Sequence, residues 1–130
     1  MWICFRPIAI INGIIREIAY KQFVGALLAH HISTLIAIVT FISLTYVLLH
    51  KQLNKISLST ALLIGLLWMS MTMAFEFTFG YFLDHKSLVS LVADYDITRG
   101  RVWILFLLSM FFTPVSIRFI ERKKVNKYEK

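Results

Sequence analysis

Apolar residues fill four long stretches of this chain, and polar residues collect in the short breaks between them. A helix that crosses a bilayer takes about twenty predominantly apolar residues. Residues 32–49, 58–83 and 102–120 meet that length. The first stretch, 2–19, is broken by Arg6, Asn12, Arg16 and Glu17. A helix lying in the membrane interface is one reading of it. The polar residues do not share one wide face, however, and 8–15 is mostly branched apolar, so a fourth span is expected. The pattern predicts an all-α fold: an integral membrane four-helix bundle, a single transmembrane domain over 1–130.

The breaks predict how the helices connect. Residues 50–57 form a short link that makes spans two and three antiparallel neighbours, with Ser57 or Ser59 as N-cap of the third helix. Residues 20–31 are mixed and continue the first helix through the outer headgroup layer. The longest link, 84–100, carries Ser87 as a cap. Leu88, Leu91, Val92 and Tyr95 follow on one face, which predicts a short amphipathic helix on the outer surface. Gly100 ends that segment, and Arg101 with Trp103 anchors span four at the headgroups. Trp2, Tyr20 and Tyr128 also suit interface belts, whereas Trp68 is deep enough to pack between helices. Pro114 interrupts the hydrogen bonding of span four, more often a packing feature than a gate. Arg6-Pro7 and Arg16-Glu17 argue against a cleaved signal peptide at the start.

Composition strengthens this picture. Of 130 residues, 58% are hydrophobic and 16% charged, more apolar surface than a soluble domain of this size can hide. The single Cys4 excludes an internal disulfide and a cysteine-based zinc site. The net charge of +7 is concentrated after the last apolar stretch, at Arg122, Lys123, Lys124, Lys127 and Lys130. That placement fits a cytoplasmic tail near anionic lipid headgroups rather than nucleic acid, since no element presents a basic face. With both termini inside, nine bases (Arg6, Lys51, Lys55, Arg118 and the tail) face two acids there. The outer side holds five bases and four acids, consistent with the positive-inside rule.

Glu76 is the residue that most needs a chemical explanation, because a carboxylate within a span is costly unless paired, protonated or beside water. Gly65, Thr72, Glu76 and Gly80 share one side of the third helix, so the acid is expected in a helix contact. Its expected partner is Arg16, with Asn12, Glu17 and Arg101 completing a buried polar network. A second constellation lies at the outer surface, where Asp94, Tyr95, Asp96 and Arg99 precede Arg101. Salt bridges tying the surface helix to span four are favoured there over a divalent-cation site helped by His30, His31 and His85. Neither a metal nor another cofactor is expected. The adjacent His30 and His31 point about 100° apart, and every histidine lies at an edge, which argues against haem.

No P-loop, dinucleotide fingerprint, nucleophile elbow or zinc-protease helix is present. The function these residues favour is non-enzymatic, a structural or accessory subunit that meets a membrane-protein partner or a second copy through its helix faces. The first alternative is a small oligomeric transporter coupled to protons or ions through Glu76. The second is a membrane enzyme acting on a lipid or isoprenoid at the outer face, with Glu76 and Asp94 or Asp96. At Ala74 to Gly80, at Asp94 to Asp96 through Arg99 to Trp103, and at Arg6-Pro7 and Asn12 to Glu17, the chain resembles an uncharacterised group of small bacterial inner-membrane proteins. The resemblance implies a four-span bundle in a bacterial inner membrane and brings no activity or ligand.

Overall fold

Among the described residues, three helices are long and apolar enough to cross a membrane: α3 (Ala26–Leu53), α4 (Leu58–Phe82) and α6 (Trp103–Tyr128). The computed structural model describes residues 2–83 and 85–128, and only helices, turns and short connections occur among them. Asp84, Glu129 and Lys130, which enter the charge count above, lie outside the described residues. The helix α1 (Trp2–Ile15) has 14 residues and is not among the three. At 1.5 Å per residue it is about 21 Å long, against a hydrocarbon core of about 30 Å. The chain then widens into a single π turn (Arg16–Tyr20), where the Lys21 N–H donates to the Arg16 carbonyl, and ends this arm in α2 (Lys21–Val24). Gly25, at φ 84°, breaks the path before α3, a conformation that glycine adopts at little cost.

Side-chain size is sorted as a lipid solvent requires. Leu35, Val47, Leu63 and Leu67 are each more than half exposed on the outside of the bundle. Ala29, Ser33, Thr34, Ala37, Thr45, Ala61 and Thr72 are buried inside it. Lipid does not drive apolar groups inward, so small residues at the contacts let helices approach and gain dispersion energy. Most of the buried hydroxyls are satisfied within their own helix: Thr34 donates to the His30 carbonyl at 2.8 Å and Thr45 to the Phe41 carbonyl at 2.7 Å. Pro114 is buried in this contact surface, as a packing residue would be.

α6 is the central helix. Both α3 and α4 pack along it rather than along each other, although the short link between them predicted direct neighbours. Gly65 explains the arrangement, since a Cβ there would strike the backbone carbonyl of Phe111, so α4 and α6 meet backbone to backbone. Aromatic rings fill the remaining centre, with Phe41 edge-on to Trp68 (5.7 Å) and to Phe106 (6.1 Å). Phe5 of α1 completes the cluster, 5.1 Å from Phe41 and 5.7 Å from Phe106. Trp68 thus packs between helices as expected. Trp2 turns inward, and its indole N–H donates to Thr72 Oγ1 at 2.9 Å. With Asn12 Nδ2 donating to the Ser33 carbonyl at 2.8 Å, α1 runs antiparallel to α3 and alongside α4. It covers the half of the bundle nearer the α4–α6 connection, called here the connection end.

Both predicted serine caps form. Ser57 accepts from the Thr60 N–H at the start of α4, and Ser87 from the Ser90 N–H at the start of α5 (Leu88–Ala93). The α5 helix is held to α4 by Leu91, whose side chain fills the space a Cβ on Gly80 would need. A single 3-10 turn (Ile97–Arg99) follows and closes at Gly100, φ 74°. At the opposite, tail end, Arg118 is buried and its Nε donates to the Ile56 carbonyl at 2.9 Å. Arg122 reaches the Asn54 and Ile56 carbonyls, and Glu121 joins Tyr46 (2.9 Å) to Lys124 (2.8 Å). Part of the basic tail therefore holds the α3–α4 turn.

Candidate functional site

At the connection end, a cavity of about 590 Å³ lies between the first arm of the chain and α4 with the connection. One wall comes from α1, the π turn and α2, including Arg6, Gly13, Arg16 and Lys21. The facing wall comes from α4, the connection and the first turn of α6, including Glu76, Phe79, Asp94 and Trp103. Arg6 lines the cavity beside Phe75, with its guanidinium also over the Trp2 ring.

Glu76 is half-buried on this cavity, and its partners are neutral. Oε2 accepts from the Tyr95 hydroxyl at 2.5 Å and from the Trp103 indole N–H at 2.7 Å. The expected Glu76–Arg16 pair does not form. Arg16 donates instead to its neighbour Glu17 (3.3 Å), which also takes Lys21 at 2.6 Å. The cause is local: a carboxylate one residue away, with a lysine four residues beyond it, satisfies the charge at the surface without drawing a guanidinium into the interior. Asn12 is committed to the Ser33 carbonyl, and Arg101 to Asp94. The expected five-residue network is therefore four separate groups, of which Glu76, Arg16, Glu17 and Arg101 border the same cavity.

Tyr95 changes role accordingly. It was grouped with the surface charges, but its ring stacks on Phe77 (5.9 Å) and its hydroxyl reaches inward. Burial first, and the neighbouring carboxylate second, push that hydroxyl up from its ordinary pKa, so it remains a donor. Asp94, the C-cap of α5, and Arg101, two residues before α6, do pair as the salt-bridge reading expected. Asp96 turns away to the 3-10 turn, where it accepts from the Thr98 N–H (3.0 Å) and hydroxyl and pairs with Arg99 at 3.2 Å. The Thr98 hydroxyl holds its carboxyl below the usual range. His31 Nε2 bonds the Gly100 carbonyl at 2.5 Å, and His30 lies against Trp103. Among the described residues, no three His, Cys, Asp or Glu side chains gather as a metal site would need.

Arg6 is the functional candidate that sequence reading missed. It was counted with Lys51, Lys55 and Arg118, yet those lie at or near the α3–α4 turn, and Arg6 lies at the connection end. Its guanidinium carbon is 3.3 Å from the centre of the Phe75 ring and 4.5 Å from that of Trp2. Nε and Nη2 are buried without a hydrogen-bond partner. The signal was legible as spacing: Arg6, Gly13 and Arg16 lie seven and three residues apart, which places them on one face of a helix.

Comparison with protein-family models, with curated proteins and with solved structures finds no match to this chain.

Proposed function

We propose that this chain is a non-enzymatic membrane protein, a structural or accessory subunit whose connection-end surface is fixed by Glu76. The single observation that carries this reading is the pair of neutral donors on Oε2 of Glu76, one from the α4–α6 connection and one from the first turn of α6. An acceptor held by two fixed donors orders a surface segment. The companion acids of an enzymatic reading are engaged elsewhere, Asp94 with Arg101 and Asp96 with Thr98 and Arg99. A proton path needs a relay of titratable groups through the bundle. The interior below Glu76 is instead occupied by Thr72, Met110 and the Phe41–Phe106 cluster.

The cellular setting belongs to the same proposal: a bacterial inner membrane, four bilayer-embedded helices counting α1, a basic cytoplasmic tail, and α5 on the outer face. Free helix faces such as that bearing Leu35 and Val39 would meet a membrane-protein partner or a second copy. Reconstitution into liposomes tests the central point. Wild type and Glu76→Gln are both expected to give no pH-dependent proton or cation flux. A wild-type flux that Glu76→Gln abolishes would replace this reading with the transporter.

A further inference from the structure

We propose that the cavity between α1 and α4 binds the phosphate headgroup of an anionic lipid, with Arg6 as the residue that reads the phosphate. Three independent features support a ligand of this chemistry. The first is the unused edge of Arg6. Nε and Nη2 are the two nitrogens that face the same way along one side of a guanidinium, and both lack a partner. That edge is the fork that takes two oxygens of a phosphate or carboxylate in parallel bonds. Stacking against Phe75 and Trp2 fixes its plane, so little freedom is lost on binding.

The second feature is charge. The cavity is bordered by five cationic side chains, Arg6, Arg16, Lys21, Lys86 and Arg101, against Glu17, Glu76 and Asp94. Their combined field favours an anion such as a phosphate monoester, which carries close to two negative charges at neutral pH.

The third feature is the way the cavity opens. It separates two peripheral helices, α1 packed on α3 and α4 packed on α6. A Cβ added at Gly13 meets nothing within 4 Å, so the wall is clear along α1. Ala9, Ile10, Phe75 and Phe79 make its sides apolar. A lipid can thus place its head beside Arg6 while its tails remain along the outside of the bundle. A free phosphate ion would use the same fork but leave these apolar walls without a partner.

The inference does not depend on the accessory role, and its test is separate from flux. The full chain, purified in neutral detergent, is to be incubated with phosphatidic acid, with phosphatidylcholine or with inorganic phosphate, and bound species counted by native mass spectrometry. Wild type should retain phosphatidic acid over phosphatidylcholine by about tenfold or more, the range for a two-point charged hydrogen bond. Arg6→Gln should lose that preference, and Arg6→Lys, which keeps the charge without the fork, should regain only part of it. Gly13→Trp should lose the lipid by filling the cavity, with circular dichroism and unfolding temperature unchanged. It decides the matter should Arg6→Gln fail to fold. Equal retention of the two lipids by wild type, or a preference undiminished in Gly13→Trp, would overturn the proposal. Binding of inorganic phosphate without any preference between the lipids would overturn it too, by assigning the fork to a soluble anion.

Discussion

Gly65 and Glu76 lie about three turns apart on α4, and their surroundings are opposites. At Gly65 the helix meets α6 with no side chain between the backbones. At Glu76 the same helix meets its neighbours through side-chain hydrogen bonds from Tyr95 and Trp103, and it borders a charged cavity. The difference teaches how a short chain in lipid can be both rigid and receptive. Contacts between small residues fix α3, α4 and α6, and this leaves the connection end free to carry polar groups that a close-packed bundle would exclude. The polar groups near Gly65 are hydroxyls that bond their own helix. Those near Glu76 reach between elements, and several remain unpartnered, including Arg6 Nε and Nη2 and His30 Nε2.

The comparison breaks most readily at the closed half. Gly65→Leu forces a side chain against the Phe111 carbonyl, with only backbone to yield. It should cost about 3 kcal/mol or more, at the upper end for overpacking, and much of the protein should fail to fold, as read by unfolding in detergent and by size-exclusion profile. Next in size is Arg118→Ala, which removes a buried guanidinium and leaves the Ile56 carbonyl without that donor. A loss of about 1–3 kcal/mol is expected in the same unfolding assay. At the open half the effects shrink. Trp103→Phe keeps the ring against Phe106 but removes one of two donors to Glu76, at a cost of about 1 kcal/mol.

The surface pair is smaller again. Asp94 and Arg101 have side chains 28% and 45% exposed, so Asp94→Asn should change stability by no more than about 1 kcal/mol, and by less in high salt. The smallest effect concerns Asp96, whose carboxyl is held low first by the Thr98 hydroxyl. A depressed carboxylate contributes stability above its ordinary pKa and loses it as pH falls through the lowered value. Thr98→Ala should therefore move that loss to higher pH, seen as a raised Asp96 midpoint in a carboxyl-carbon NMR titration. An unchanged midpoint would show that the hydroxyl is not the cause.

Much of this architecture could be read from residue order. Three apolar stretches of sufficient length and two serines ahead of them or their connection specified α3, α4, α6, the caps and α5, because those signals are local. Glu76 stood out for the same reason, a lone acid in an apolar run. Its partners did not, because helical spacing says which residues share a face and not which face of another helix is turned toward it. Trp103 and Tyr95 were assigned to the headgroup layer by type, although each is amphipathic enough to put its donor inward. Arg6 was obscured by its position near Pro7 among the early residues, where charge suggested a membrane boundary. Only the contacts of Trp2 and Arg6 with Phe75 of α4 show that Arg6 shares a cavity with Glu76.

The central claim is that neutral donors from the connection hold Glu76, with no direct part for Arg16. A double-mutant cycle measures this, using unfolding free energies of Glu76→Gln, Tyr95→Phe, Arg16→Gln and the two pairs that include Glu76. The account predicts a coupling of about 1–3 kcal/mol between Glu76 and Tyr95, and a value within about 0.5 kcal/mol of zero between Glu76 and Arg16. The reverse ranking would contradict it.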